Sequence, residues 1–336
     1  MKAGIIGAGR IGRVHAQNIA RFVPEVDIKT VADPYMNEET EKFLKTTCNV
    51  AQVTKDAGDV LKDVEIEAVL ICSSTDTHSK YIIDAAKAGK HIFCEKPIDY
   101  DLAKVHEAIA AAETAGVKLQ IGFCRRFDHN HRGVYDIVKS GKIGKVHMIK
   151  ISSRDPEPPS IDYVKVSGGI FYDMMIHDFD MARFLAGSEV TEVMANGSVL
   201  IDSAIGEAGD VDTAVVVMKF ENDAIAIIDN SRKAVYGYDQ RVEVFGSEGC
   251  VKNENDVPNT VILSDADKTS CENTYKIMWD RYTQAFVSEI QEFADAVVND
   301  KDVSVNGMDG LYPVEMAAAA TKSLKEGRPV KIEEVK

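Results

Sequence analysis

Apolar positions in the first third of the chain follow two alternating periods. Lys2–Ile6, Asp27–Ala32, Ala68–Cys72, His91–Cys94 and Lys118–Gly122 are short and largely apolar, as in strands buried on both faces. Between some of these runs the period lengthens to that of a helix. Arg10–Phe22 places Ile11, Val14 and Ile19 on roughly one face. Thr77–Ala88 stops at Gly89 and Asp101–Ala115 at Gly116, each glycine suited to a helix C-terminus. Strands alternating with helices predict a parallel sheet built from right-handed βαβ units.

After about residue 122 the pattern changes. A helix around Asn130–Ser140 precedes a strand over Lys145–Ser152 and a proline-bearing loop, Asp155 to Pro159. One helix is then expected to carry both Asp173 and His177. Long β-type runs follow at Glu192–Val199, Thr213–Phe220, Ala224–Asn230 and Arg241–Phe245, and Glu221-Asn222-Asp223 is a turn signal between two of them. Two helices, near Tyr282–Asn299 and Tyr312–Glu326, end the chain. The expected class is therefore α/β. A doubly wound parallel Rossmann sheet over 1–122 would be joined to an α+β domain over 123–336 with a large, mostly antiparallel open sheet. The C-terminal helices are available to pack back on the first domain.

At 336 residues, two domains are also what chain length predicts. The net charge of −15 argues against nucleic acid and anionic membrane surfaces as partners, since both need positive potential. A neutral or cationic small molecule is the easier ligand. No apolar run approaches the length of a membrane span, and no secretory signal opens the chain. The six cysteines are scattered without a Cys-x-x-Cys, a pattern of reduced thiols that places the protein in the cytoplasm.

Gly7-Ala8-Gly9-Arg10-Ile11-Gly12 follows a strand and opens a helix, the context a dinucleotide fingerprint requires. Gly7 permits the tight turn, Gly9 lets the backbone approach a pyrophosphate, and Gly12 allows helix and strand to pack closely. Helix N-terminal N–H groups, including those of Arg10 and Ile11, would face the phosphates. Asp33 closes the second strand, where a carboxylate binds a ribose 2′-hydroxyl and repels a 2′-phosphate; Pro34-Tyr35-Met36 adds no cation. NAD is favoured over NADP. Ser73, Ser74 and Thr75 lead through Asp76-Thr77 to His78, a polar turn able to cap the next helix. Glu95-Lys96-Pro97 ends a buried strand, on the side of the sheet where such folds bind ligands.

Asp173 and His177 are four residues apart, which on one helix puts them a turn apart on one face. An imidazole can take the proton that leaves an alcohol as hydride departs, and Asp173 can orient it, stabilise its protonated form or bind a second hydroxyl. The same pair is also a common helix-surface pair, and with Asp178 it offers potential metal ligands. Hydride chemistry with a lysine polariser needs no metal, and none is assigned. Of Arg125 and Arg126, one is expected to reach the cleft and the other solvent. Asp155 suits either a substrate hydroxyl or an Asx turn.

Glu95-Lys96-Pro97 and the run from Gly168-Gly169 through Asp173 to His177-Asp178 resemble the glucose-fructose oxidoreductase/inositol dehydrogenase family. The resemblance spans nearly the whole chain and is densest at 4–12, 71–97, 121–128 and 163–185. It implies NAD-dependent oxidation of myo-inositol at the C2 hydroxyl to 2-keto-myo-inositol, with Lys96, Asp173 and His177 as catalytic residues. It further implies cofactor contacts along Ser73–His78 and at Glu95 and Lys96, and substrate contacts at Lys96 and Tyr236; Arg125 stands as a candidate for both cofactor and substrate, and Asp155 for substrate. A tetramer formed through the C-terminal sheet is implied as well. Two alternatives stay open: a dehydrogenase of scyllo-inositol or a cyclic sugar such as glucose, and a non-catalytic NAD-binding sensor.

Overall fold

The computed structural model describes all residues, Met1–Lys336. The chain divides into two compact units: Met1–Phe127 with Thr283–Val314, and Asp128–Tyr282 with Glu315–Lys336.

The first unit is built on six parallel strands: β1 (Lys2–Ile6), β2 (Asp27–Ala32), β3 (Gln52–Thr54), β4 (Ala68–Ile71), β5 (His91–Glu95) and β6 (Leu119–Gly122). Their spatial order is 3-2-1-4-5-6, so strand order reverses between β1 and β4. Ligands of open α/β sheets bind at such a reversal, beyond the strand C-termini. The helices are α1 (Arg10–Phe22), α2 (Glu38–Thr47), α3 (Ala57–Lys62), α4 (His78–Lys87) and α5 (Leu102–Ala115). All of β4 is buried, as its unbroken apolar run requires. The segment 33–67 had no assignment from the apolar pattern. There α2 and α3 rest on local caps, Asn37 accepting from Thr40 N–H and Asp56 from Gly58 N–H, and β3 is only three residues long.

The second unit begins with α6 (His129–Lys139), β7 (Val146–Arg154), α7 (Ile161–Val164), α8 (Ile170–Asp173) and α9 (Ile176–Ala186). Then come β8 (Val190–Ser198), α10 (Ser203–Glu207), β9 (Thr213–Phe220), β10 (Ile225–Ser231), β11 (Asp239–Gly246), β12 (Cys250–Lys252), β13 (Ile262–Ser264) and β14 (Thr269–Cys271). Helices α11 (Met278–Val298) and α12 (Gly307–Glu326) and strand β15 (Val330–Lys331) close the chain. The main sheet has the order β12-β11-β7-β10-β9-β8-β15. Every pairing in it is antiparallel except β10 with β7. Strict alternation of burial along β9 leaves one face apolar and covered and the other open.

One expectation fails here. Asp173 and His177 do not share a continuous helix, because the chain breaks at Met174–Met175 between α8 and α9. Met174, Met175 and Ile176 are all buried, and the turn between the two helices is wider than an α-helical one. Met175 N–H donates to Ile170 O, and Met175 O receives both Asp178 and Phe179 N–H.

Candidate active site

In the first unit the fingerprint turn performs the separate tasks its glycines suggest. Gly7 has φ +101°, and a Cβ on it would lie 2.5 Å from the backbone of Cys72 and Ser73, so the turn after β1 can pass the end of β4 only as a bare glycine. A Cβ on Gly12 would collide with the Gly7 carbonyl oxygen. Gly9, by contrast, has nothing within 4 Å of where a Cβ would sit. It occupies the N-cap of α1 and gives that end no side-chain cap. The bare N-terminus of a thirteen-residue helix, with open space at Gly9, fits a pyrophosphate.

Asp33 is fixed at this turn. One carboxylate oxygen accepts from Ala8 N–H at 2.6 Å and the other from Tyr35 N–H at 2.8 Å. Each oxygen retains a lone pair for a ribose hydroxyl. Beyond β4, the Ser73 and Thr77 hydroxyls bond each other at 2.7 Å, and Thr75 begins a single 3₁₀ turn leading into α4. The His78 ring turns to the backbone. It is buried, with Nδ1 2.8 Å from Pro97 O and Nε2 3.0 Å from Ser73 O. Burial lowers its pKa, against the pull of the two carbonyls. With both ring nitrogens facing backbone, His78 ties the Ser73 turn to the Lys96-Pro97 turn. The Lys96-Pro97 bond is cis.

Arg125 and Arg126 also differ from expectation. Both are buried, 4% and 5% exposed, so neither solvates a surface. Arg126 pairs with Asp309 at 3.1 Å, which binds the segment after β6 to the start of α12.

In the second unit, β7 and β10 run parallel and so deliver their C-terminal ends to one edge. Asp155 follows β7 and Arg232 follows β10. Asp155 N–H donates to Ser231 O, and Asp155 O accepts from Ala234 N–H at 2.7 Å. Arg232 is the largest wholly buried side chain, and nothing in the sequence reading marked it. Its guanidinium donates to Asp173 Oδ2 at 3.1 Å and to Asp210 Oδ2 at 3.3 Å. Burial opposes its charge, but Asp173, Asp210 and Asp155 outweigh that and raise its pKa. The other oxygen of Asp173 accepts from the Tyr163 hydroxyl at 2.7 Å, and that of Asp210 accepts from Ile170 N–H at the start of α8. Asp173 is thus held from two sides.

His177 lies in the first turn of α9, beside Asp178. Asp178 is wholly buried and accepts from Asn230 at 2.9 Å, anchoring α9 to the end of β10. Tyr236 donates to Asp239 at 2.6 Å and accepts from Arg154 at 3.1 Å. Burial disfavours the Asp239 charge, yet bonds from Arg241, Tyr236 and Asn255 hold its pKa at about 2. Any substrate contact by the Tyr236 hydroxyl would share it with this ionic network.

A Rossmann sheet with a ligand-ready fingerprint, and a second unit holding an oriented carboxylate beside a histidine-bearing helix, define a nicotinamide-dependent dehydrogenase. The sequence matches the model of an oxidoreductase family with an NAD-binding Rossmann fold over residues 1–123, and that of the GFO/IDH/MocA C-terminal domain over 131–252. It is 46% identical to a myo-inositol 2-dehydrogenase of Thermotoga maritima, covering 100% of this chain and 99% of that one. A crystal structure of a probable dehydrogenase from Thermotoga maritima superposes with a TM-score of 0.97 at 46% identity, covering 100% of both chains. Scyllo-inositol dehydrogenase from Lactobacillus casei, solved with NAD(H) and scyllo-inositol bound, gives 0.91 at 31% identity over 99% of each chain. The chain belongs to the GFO/IDH/MocA oxidoreductase family and is an NAD-dependent dehydrogenase. No helix is long and apolar enough to cross a membrane.

Proposed function

We propose that this dehydrogenase oxidises myo-inositol at its C2 hydroxyl to 2-keto-myo-inositol. The observation that carries the reading is the 46% identity, end to end, to a chain named for that reaction, with Lys96, Asp173 and His177 all present. NAD supplies the acceptor for the hydride leaving carbon. His177 takes the hydroxyl proton as general base, Lys96 donates to the oxygen as it becomes a carbonyl, and Asp173, held by Arg232 and Tyr163, orients the acid–base pair or a neighbouring hydroxyl. Asp155, Arg125 and Tyr236 contribute polar contacts to a ring that carries a hydroxyl on every carbon. Oxidation of scyllo-inositol is the second reading, favoured by the Lactobacillus casei structure. NADH formation across a panel of cyclitols and hexoses separates the two. Turnover of neither inositol would reject both.

Cofactor choice rests on Asp33. NAD is expected to exceed NADP in kcat/KM, and Asp33→Ser to narrow that margin by weakening the 2′-hydroxyl contact. A native preference for NADP, or an unchanged ratio in the variant, would remove this role from Asp33.

The open face of the second sheet carries Val215, Val217, Ile225 and Phe245, each at least 37% exposed. We propose that copies of this chain cover it in a homotetramer. Light scattering should give about four chain masses, and Val217→Asp should lower that value.

A further inference from the structure

Three ionisable side chains meet in the buried interior of the first unit, where a packed core would ordinarily hold none. His15 on α1 and Glu289 on α11 are wholly buried, and Glu95 at the end of β5 nearly so. His15 Nε2 lies 2.7 Å from Glu95 Oε1 and 3.9 Å from Glu289 Oε1. The imidazole is boxed edge-on by Phe93 and Phe286, at ring separations of 5.3 and 5.6 Å. Opposite, a Cβ on Gly122 would come 3.3 Å from the Glu95 carboxyl, so β6 is bare where that group sits. Gln120 donates to the backbone carbonyl of Glu289 at 2.9 Å and seats α11 over the cluster. The contact to Glu95 thus joins the nucleotide-binding helix to the residue immediately before Lys96.

We propose that His15 and Glu289 are positioning residues for the dehydrogenase reaction, acting through Glu95 on the neighbouring Lys96. The inference rests on the functional reading above for the role of Lys96, but the geometry of the cluster does not. An ionised carboxylate with two unbonded oxygens in an apolar box would be costly, and a second negative charge beside Glu95 costlier still. Burial first, and the Glu95 charge second, push the Glu289 pKa well above the usual carboxylate range. Glu289 therefore serves as a neutral acid. The other groups around it are the Cys72 and Cys124 thiols, kept protonated chiefly by burial, with Arg125 and Lys96 as the cations that act on Cys124. Glu95, bonded to His15, is the residue immediately before Lys96. His15 fixes where the Glu95 carboxyl sits, and Glu289 closes the box with a polar group that adds no charge of its own.

The test compares Glu289→Leu with Glu289→Gln in the NAD-bound protein, with melting curves to show that both fold. Leucine keeps the apolar volume and loses the polar group, whereas glutamine mimics the neutral acid. Glu289→Leu should lower kcat about ten-fold to a hundred-fold with little change in NAD affinity, the scale of a reacting group displaced by a fraction of an ångström. Glu289→Gln should recover most of that loss. Equal activity in Glu289→Leu and the parent would overturn the proposal, and so would a glutamine variant as impaired as the leucine one. Infrared difference spectra provide a readout that needs no substrate. A protonated-carboxyl C=O band at neutral pH, absent from Glu289→Gln, is expected, and its absence from the parent would overturn the neutral-acid assignment even if no polyol is turned over. Failure of the substrate panel with that band present would instead count against the functional reading alone.

Discussion

Replacing His177 by alanine is expected to lower kcat for polyol oxidation by about a hundred-fold to ten-thousand-fold, the usual contribution of a positioned general base. NAD affinity should change little, because the fingerprint and Asp33 belong to the other unit. The expectation gains force from how α9 is held. Asp178 is locked to Asn230, and Asp173, at the end of α8, is clamped by Arg232 and Tyr163. The histidine between these anchors has little freedom to drift, and a base that stays in place is one whose loss is felt. Oxidation requires neutral imidazole to receive the proton. The parent's kcat/KM should therefore rise with pH through the ionisation of His177, and that limb should vanish in the alanine variant. Deuterium at the reacting carbon shows whether hydride transfer limits the rate. A flat profile with a full isotope effect, identical in both proteins, would exclude His177 as the base.

What the sequence disclosed and what it hid divide along physical lines. The fingerprint was readable because its demands are local: Gly7, Gly9 and Gly12 answer to a turn, an open approach and a helix–strand contact within six residues. Strand and helix periods were readable for the same reason. The segment 33–67 was harder, because α2, β3 and α3 rest on caps and short pairings rather than a long apolar stripe. The break between Asp173 and His177 shows where the helical period misleads. Spacing by four predicts one face, but the chain makes a wider turn at Met174-Met175, where Met175 N–H reaches back five residues to Ile170 O. Arg232 was hidden because its partners lie elsewhere along the chain, Asp173 at the end of α8 and Asp210 just before β9, which pairs with β10. The burial of Arg126 was likewise a long-range matter, decided by Asp309. His15 did leave a trace. It falls midway between Ile11 and Ile19, four residues from each, on the inner face of α1, where a polar residue needs a partner. That partner, Glu95, is supplied by a distant strand.

Lys96→Ala should bind NAD nearly as well as the parent yet lose about a hundred-fold to a thousand-fold in kcat. Lys96 follows β5 directly, and its neighbours on both sides are immobilised, Glu95 by His15 and Pro97 through its carbonyl by His78. A cation carried on a backbone fixed at both neighbouring positions has less to reorganise as charge develops on oxygen. Such a contact is stronger in the transition state than in the bound alcohol, so its removal lowers kcat more than it raises KM. Loss of a ground-state contact alone would show the opposite split, with KM rising and kcat preserved. Lys96→Arg keeps the charge but replaces a compact ammonium by a wide planar group, and should recover only part of the loss. Stopped-flow NADH formation separates the chemical step from product release. A Lys96→Ala enzyme with a parental hydride-transfer rate would show that the residue only shapes the turn, and the polarising group would then have to be sought elsewhere, with Arg125 the next cation to substitute.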